Sequence, residues 1–457
     1  MKRTFTATIA LLIIGTFLVA AVMLSKPDIS NIAEAPKAYV GIAYAGNSVA
    51  QGEALIDKVK GYTNLFVLQS GLLQRDLKSV NELGDYAVSA GMYFLPYFGN
   101  YIQASFAPWL ENAKQKWGTH LVGVYYGDEP GGKMLDDYVI YQDLATGDSI
   151  TKTKYGDIVV QQTNGIVINY ELSGAIKLDE PAAAISGSDI DSEVTFYPNG
   201  TVDVVKPATD GFSFNSYQEL ESIRPFKDLN DTAQRFCDRD KTSIDFLKNS
   251  TQVFTSDYAL YQFDYSSGYD VVLGQIGWNM SLTQQLSLMR GAANLEHKDW
   301  GIFITWKYQG PDFYLDNGTE ILNQMRTAYE CGSKYFVLFN YYDSDNGTDG
   351  TMKPEHFQAL KTFWSDVVKN PQEVQGSIKA DSVLVLPANY GWGARWQEDH
   401  IWGIFNADKK TTQIWNLMQA TLQEHGLKTD IVCDDAQFPL PSGYSNVYAC
   451  DNLIGEK

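Results

Sequence analysis

Cysteine and histidine are scarce in this chain of 457 residues. The cysteines are Cys237, Cys331, Cys433 and Cys450, and the histidines are His120, His297, His356, His400 and His425. The cysteines show no zinc or Cys-x-x-Cys spacing, and the histidines are scattered, several of them on predicted helices. We therefore expect no metal site, no cofactor and no catalytic triad built on histidine.

Basic residues are outnumbered by acidic ones, at 35 against 55, which gives a formal net charge of −20 and a pI near 4.6. Nucleic acids and anionic membrane surfaces both require a basic face, so we expect no nucleic-acid partner. Neutral ligands such as sugars are compatible with this charge, and 28 tyrosines and 10 tryptophans supply aromatic faces for them. The composition therefore favours a carbohydrate or glycan as partner.

Charged residues are absent from residues 5–24, directly after Lys2 and Arg3. About 20 apolar residues are enough for a helix to cross a bilayer. We expect an uncleaved membrane anchor with its positive end inside, a tether up to residue 37, and the bulk of the chain extracellular. The alternative is a secreted protein whose signal peptide is cleaved after the small-residue triplet Ala33-Glu34-Ala35.

Six Asn-x-Ser/Thr sequons accord with an exported, glycosylated protein. They begin at Asn199, Asn230, Asn249, Asn279, Asn317 and Asn346. In an oxidising location Cys433 and Cys450 could form a disulfide, and two buried free thiols are the equally supported alternative.

Short apolar runs alternate with helical patterns eight times between residues 39 and 368. The runs predict strands at 39–44, 65–68, 93–97, 121–124, 252–256, 271–275, 301–306 and 335–340. Eight strand-helix pairs indicate an α/β fold of the (β/α)8 TIM-barrel type. A doubly wound open sheet is the alternative fold, and the absence of a glycine-rich phosphate loop after the first strand counts against its dinucleotide-binding form.

Two further modules accompany the predicted barrel. Residues 141–215 lack helical periodicity and contain hairpin patterns, which predicts an inserted β-module after the fourth strand, on the loop side of the barrel. Residues 373–457 show a β-α-β-β pattern and form a small α/β appendage. The barrel halves are then residues 38–140 and 216–372, and we expect the insertion to be dispensable for folding.

Residues 120–132 form the most distinctive stretch of the chain. A buried apolar strand ends there in Asp128 and Glu129, and Pro130 forbids the strand to continue. Barrel enzymes place their catalytic residues at the carboxyl ends of the strands. We therefore assign Asp128 and Glu129 as the candidate catalytic pair, against the alternative that they cap the next helix or pair with surface cations.

Other strand ends carry aromatic, amide and carboxyl side chains, which suit the C–H faces and hydroxyls of sugar rings. Those assigned to substrate binding are Tyr44, Tyr97, Tyr126, Asp257, Trp278, Trp306, Lys307, Asn340 and Tyr341. Gln69, Tyr125 and Gln275 also lie at predicted strand ends and carry no assigned role. The alternative for each aromatic residue is the packed rim of the barrel.

The pair after the fourth strand resembles the Asp-Glu pair of substrate-assisted β-N-acetylhexosaminidases and related barrel glycosidases. This resemblance implies that Glu129 is the general acid/base and that Asp128 orients the acetamido group of the substrate. The seventh strand ends in Thr-Trp-Lys-Tyr without an acid, which weakens a double displacement through an enzyme nucleophile. The chain also resembles uncharacterised archaeal membrane-anchored barrel proteins, through residues 128–132 and the Tyr-Gly-Trp-Gly segment at 390–393.

Two functions follow from these features. The first is an extracellular, membrane-anchored glycoside hydrolase. The second is a non-catalytic surface protein that binds carbohydrate or supports the cell envelope, because a barrel fold alone implies no activity.

Overall fold

The computed structural model describes residues 36–99, 106–181, 190–206, 216–277, 280–309, 312–342, 350–369 and 374–450. In this part of the chain, no helix has the length and apolar character needed to span a bilayer. The predicted anchor at residues 5–24 lies outside the described residues, as does Trp278.

The first half of the barrel contains four strand-helix pairs. They are β1 (Tyr39–Ala45), α1 (Val49–Val59), β2 (Leu65–Leu68), α2 (Leu77–Ser89), β3 (Tyr93–Pro96), α3 (Phe106–Trp117), β4 (Val124–Tyr125) and α4 (Pro130–Asp136). Local sequence explains these bounds: Asp76, for example, caps α2 by accepting hydrogen bonds from the backbone N–H groups of Lys78 and Ser79. Helix α2 then buries Val80, Leu83 and Ala87 at helical spacing.

The insertion forms a seven-stranded antiparallel sheet in which each strand pairs with its neighbours in sequence. Its strands are β5 (Val139–Gln142), β6 (Ser149–Lys152), β7 (Ile158–Gln161), β8 (Val167–Tyr170), β9 (Ile176–Pro181), β10 (Ile190–Phe196) and β11 (Val202–Lys206). Burial alternates along β5, where Val139 and Tyr141 are buried and Ile140 and Gln142 are exposed. The predicted β-rich insertion is therefore present, and its boundaries at 141 and 215 stay a prediction.

The second half of the barrel resumes after the insertion. Its elements are α5 (Tyr217–Ser222), α6 (Leu229–Arg239), α7 (Lys241–Lys248), β12 (Val253–Asp257), α8 (Tyr261–Ser266), β13 (Val271–Ile276), α9 (Leu282–Leu295), β14 (Asp299–Ile304), β15 (Lys307–Gln309), β16 (Asp312–Tyr314), α10 (Gly318–Glu330), β17 (Tyr335–Tyr341) and α11 (Pro354–Trp364). Single 3-10 turns occur at Leu73–Arg75, Gly118–His120 and Gly426–Lys428, and a π turn at Ser365–Lys369 follows α11.

The barrel sheet has eight parallel strands in the order β3-β2-β1-β17-β14-β13-β12-β4. Strand β4 pairs with β12 along only two residues, and single parallel bridges from Phe94 to Leu121 and from Tyr97 to Tyr125 connect it to β3. These bridges bring the two ends of the sheet together. The (β/α)8 barrel prediction is confirmed, and the doubly wound open sheet is excluded.

The appendage contains β18 (Ser382–Leu386), α12 (Lys409–His425), β19 (Thr429–Cys433) and β20 (Asn446–Ala449). Its three strands are parallel, with β18 in the centre. Cys433 and Cys450 are both buried, and neither forms a disulfide. Of the two alternatives for these cysteines, the structure contains the one without a disulfide.

Besides the apolar core between the barrel sheet and its helices, a second apolar core joins the barrel, the insertion and the appendage. It combines Ile158 of the insertion, Phe236 of α6, Phe263 of α8 and Trp402 of the appendage with Leu135 of α4. Because these modules bury one another, the packing argues against our expectation that the insertion is dispensable for folding.

Candidate active site

Strand parity selects the side chains that reach the mouth of the barrel. Along each strand, alternate residues point into the barrel and toward the surrounding helices. Tyr97, Trp306 and Tyr341 pack on the interior cluster that contains Tyr125 and Phe339. Ring contacts connect Tyr97 to Tyr125 at 4.9 Å and Trp306 to Phe339 at 5.0 Å between centroids. These three predicted substrate residues therefore lie at the aromatic upper layer of the barrel.

The turn after β4 places the two acids. Gly127 has a φ of 67°, and Glu129 has φ 55° and ψ 47°, a left-handed conformation that costs about 1–2 kcal/mol for a residue with a side chain. Pro130 then begins α4, where its missing N–H costs no helical hydrogen bond. The backbone N–H of Glu129 donates to the carbonyl of Ser256 at 2.8 Å, which attaches the turn to β12.

Asp128 is held by three donors on one oxygen. Its Oδ1 accepts from the Tyr125 hydroxyl in a short bond, from Ser256 Oγ at 3.1 Å and from Gln69 Nε2 at 3.4 Å. Burial raises the pKa of Asp128, while Lys133 and these three hydrogen bonds lower it. The net effect is a raised pKa for Asp128, and the three donors favour the charged form of its carboxyl group.

Among the described residues, Glu129 has a single side-chain donor. Gln275 Nε2 donates to its Oε1 at 2.9 Å, and the same nitrogen lies 2.9 Å from Ser256 Oγ. Burial, and then the negative charge of Asp128, raise the pKa of Glu129 to about 7, which the Gln275 bond and Lys133 partly oppose. Glu129 is therefore available as a proton donor near neutral pH, beside an acid whose charged form is stabilised by three donors.

Asp257, predicted to bind substrate, instead forms hydrogen bonds with the backbone around the start of α4. Its side chain is fully buried and accepts from the backbone N–H groups of Gly131, Gly132, Tyr258 and Ala259. Burial raises its pKa to about 7, and the four N–H bonds oppose that rise. The structure thus uses Asp257 to hold the start of α4, directly behind Glu129.

Three other predicted substrate residues point away from the mouth, which corrects our expectation for them. Tyr44 is 0% exposed and its hydroxyl donates to the carbonyl of Ser48 at 2.6 Å, at the start of α1. Tyr126 is 1% exposed and belongs to the layer between sheet and helices. The Oδ1 of Asn340 accepts from the backbone of Met352 at 3.2 Å. Each residue stands at the outward parity of its strand.

Lys307 and Trp278 complete the predicted set. Lys307 Nζ lies 2.9 Å from Asp316 Oδ2, so its charge is paired on the hairpin of β15 and β16. Trp278 falls outside the described residues. Neither observation links these residues to Glu129.

Four residues with no predicted role complete the polar network at the mouth. They are Gln69, Tyr125, Ser256 and Gln275, which connect Asp128 to Glu129. Gln69, Tyr125 and Gln275 were recognisable as strand-end residues, and inward parity was the signal that could have separated them from Tyr44 and Asn340. Ser256 is the last residue of the strand predicted at 252–256, and only its inward parity distinguishes it from Asp257.

Comparison with known proteins gives likenesses of structure alone. No protein-family model matches the chain, and no curated protein matches it. A β-galactosidase from the Antarctic haloarchaeon Halorubrum lacusprofundi is 10% identical, with 91% of this chain and 69% of that chain covered and a TM-score of 0.48. GH5_18 from Streptomyces cattleya is 8% identical, with 92% and 100% covered and a TM-score of 0.42.

The endo-β-1,4-mannanase from Thermotoga petrophila is more distant, with 8% identity, 77% and 82% coverage and a TM-score of 0.35. At these identities and scores we take no activity from the three proteins. The barrel itself follows from the strand pairing described above.

Proposed function

We propose that this protein is a glycoside hydrolase in which Glu129 is the general acid/base. The observation that supports the proposal best is the contrast within the acid pair: Glu129, with a pKa of about 7, adjoins an Asp128 held by three donors. A carboxylic acid that stays protonated near neutral pH can donate its proton to the leaving glycosidic oxygen. Tyr97, Trp306 and Tyr341 supply aromatic surface for a sugar ring at the same layer.

The second carboxyl group decides the mechanism. Among the described residues at the end of the seventh barrel strand, Thr305, Trp306 and Lys307 bring no carboxylate, and nearby Asp316 is paired with Lys307. We propose a substrate-assisted reaction, consistent with the hexosaminidase resemblance. The acetamido oxygen attacks the anomeric carbon as Glu129 protonates the departing oxygen, and the C–O bond breaks. Water then attacks the anomeric carbon of the resulting oxazolinium ion and breaks its bond to the acetamido oxygen, while Glu129 removes a proton from that water and regains its acid form.

Asp128 has the matching role in this scheme. Its carboxylate would accept the N–H of the acetamido group, which orients that group and stabilises the positive charge that develops on it. Lys133 donates to the carbonyl of Asp128 at 2.6 Å and so fixes the backbone of the pair.

Hydrolysis by residues 36–457 should first be sought with a panel of chromogenic glycosides that includes β-N-acetylglucosaminides. Glu129→Gln preserves the shape and removes the proton transfer, so the turnover rate should fall about 10²- to 10⁴-fold. The matched control is Glu296→Gln at the end of α9, because burial also raises the pKa of Glu296 to about 7 and its carboxylate accepts from Ser266 at 2.8 Å. The control should keep wild-type turnover.

Two results would contradict the enzyme proposal. Equal turnover of the wild type and Glu129→Gln would exclude Glu129 as the acid. Glycan binding without cleavage of any glycoside would support the non-catalytic surface protein instead.

For the cellular location we propose an N-terminal membrane anchor, formed by residues 5–24, with the barrel outside the cell, as in the archaeal membrane-anchored proteins that the chain resembles. The support is the charge-free run after Lys2 and Arg3. The full-length protein should stay with membranes during alkaline carbonate extraction. Release of a soluble form with a new N-terminus near Ala35 would show a cleaved signal peptide instead.

A further inference from the structure

Helix α4 is the point where three parts of the chain meet. It begins one residue after Glu129, so its position sets the position of the proposed acid. The barrel holds its first turn through Asp257, which accepts from Gly131 and Gly132. The insertion contacts the C-terminal end of α4, where the buried Lys152 donates to the carbonyl of Asp137 at 3.1 Å.

The third contribution comes from the appendage, through the segment between β18 and α12. Arg395 lies in this segment with its side chain 5% exposed, and it donates to Asp136 of α4 in a short bond. Its other nitrogens bind Asp399 at 2.7 and 2.9 Å, which fixes the guanidinium plane. The same Asp136 oxygen also accepts from the Tyr258 hydroxyl at 2.9 Å.

Backbone contact strengthens this connection. Gly403, at φ +65°, lies so close to α4 that a Cβ there would stand 2.5 Å from the carbonyl oxygen of Leu135. The preceding residue, Trp402, is fully buried, with its ring centroid 4.6 Å from that of Phe263 and 5.3 Å from that of Phe236. The appendage segment is therefore anchored in the second core and presses directly on α4.

The left-handed backbone conformation of Glu129 requires contacts that hold it in place. Such a conformation persists in a non-glycine residue only where the surroundings hold it. Within the turn itself, the Glu129 N–H bond to Ser256 and the side-chain bond from Gln275 act locally. Neither restrains the far end of α4, where Asp136 lies.

We propose that Arg395 is a positioning residue through which the appendage, by way of Asp136 and α4, holds Glu129 in its left-handed conformation against Gln275. The inference rests on the proposed function only in taking Glu129 as the working acid. The appendage is then a part of the active-site machinery that touches no substrate itself.

Two substitutions test the connection between Arg395 and α4: one weakens it and the other removes it. Asp136→Asn removes the charge on α4 and leaves the pair of Arg395 with Asp399 intact, so it should fold. Arg395→Gln removes the whole connection and leaves the nearly buried Asp399 without its cation. The control is Arg326→Gln, which removes an arginine-aspartate pair away from α4: Arg326 bonds Asp366 at 3.0 Å on an exposed part of the helical layer.

Hydrogen exchange and a site-specific titration give readouts that need no known substrate. In Asp136→Asn, amides of residues 131–136 should exchange at least about tenfold faster while the barrel strands keep their protection. The Glu129 carboxyl, identified by carbon NMR against Glu129→Gln, should titrate below pH 7 because a loosened turn admits water. Once a hydrolysed glycoside is known, turnover should fall about tenfold or more with KM nearly constant.

The exchange and titration results test the positioning role of Arg395 independently of whether the proposed hydrolase activity is found. Unchanged exchange at residues 131–136 and an unchanged Glu129 titration in both variants would overturn the positioning role, whatever the substrate. A uniform loss of stability with no local change, as a purely structural contact would give, would overturn it as well. Failure of every glycoside in the panel would count against the proposed hydrolase and leave the exchange and titration results to decide this inference.

Discussion

At the scale of single residues, two adjacent carboxyl groups acquire different properties from their donors. Asp128 receives a phenol, a hydroxyl and an amide on one oxygen, whereas Glu129 receives one amide. The charge on Asp128 then raises the pKa of Glu129 further, after burial has done so. Titrations of such a close pair are coupled, so any measured pH profile reports both groups.

The pH dependence of hydrolysis follows from this contrast. Because the acid form of Glu129 is required and its pKa is about 7, kcat/KM should be high below pH 7 and fall as the pH rises through that value. Asp128→Asn removes a negative charge that raises this pKa, so the alkaline midpoint of the residual activity should move to lower pH. Glu296→Gln should leave the midpoint in place. An alkaline limb that does not move in Asp128→Asn would contradict the assigned coupling.

The sequence could not predict which strand-end residues of the site face the interior of the barrel. Asp128 and Glu129 were identifiable because two acids follow a buried strand before a proline. Tyr44 and Asn340 also stand at strand ends, and the structure turns both outward because a one-residue shift reverses the face of a strand. Tyr44 and Asn340 pair with each other within β1 and β17, and both strands are buried on both faces. Their apolar pattern therefore shows the parity of each residue but not which parity faces the barrel interior.

At the scale of elements, the strained backbone of the site lies in the turn between β4 and α4. Strand β4 pairs along only two residues, which leaves the chain free to reverse immediately after Tyr126. Glu129 is one of the few non-glycine residues with positive φ in the described chain. Strain of this kind at a catalytic position is commonly retained at some cost in stability.

A pair of substitutions at this turn should measure the strain. Glu129→Gly should be more stable than Glu129→Ala by roughly 1 kcal/mol, because glycine adopts φ 55° without a Cβ penalty. The same pair at Glu82, exposed within α2, should show the opposite sign, since alanine is favoured over glycine by about 1 kcal/mol inside a helix. Urea unfolding of all four variants provides the free energies. Equal signs at both positions would show that the turn is unstrained.

Element prediction succeeded where the apolar pattern was distinct and failed where it was not. The eight barrel strands follow from continuous apolar runs, and the helices α2 and α9 from apolar residues at helical spacing. Apolar spacing over residues 232–248 predicts a single helix, but the structure has α6 and α7, which meet at Asp240, where the backbone departs from helical angles. The hairpin of β15 and β16 has only three residues per strand, too few for a recognisable alternation.

At the scale of the whole molecule, a shared core makes the appendage part of one folding unit. The appendage buries Ile414, Met418 and Trp402 against the insertion and α8. Arg290 on α9 reaches into the appendage, where it bonds Asp430 at 2.7 Å and three backbone carbonyls, with 4% of its side chain exposed. A sequence pattern can locate the β-α-β-β module, but it carries no information about which surfaces two modules bury together.

Removal of residues 374–457 should therefore abolish cooperative folding of the remaining chain. The loss of Asp430 alone leaves the Arg290 cation buried, which typically costs about 3–5 kcal/mol, and the apolar surface of α8 loses its cover as well. Domains of ordinary stability have only about 5–15 kcal/mol in total. Asp430→Asn in residues 36–457 is the control: it removes the charge pair and keeps the apolar contacts, so it should unfold at lower temperature but in one transition. Near-ultraviolet circular dichroism during heating distinguishes the two cases. A truncated chain with native tertiary signal and a sharp transition would show that the barrel folds alone and that the boundary predicted at residue 373 separates independent domains.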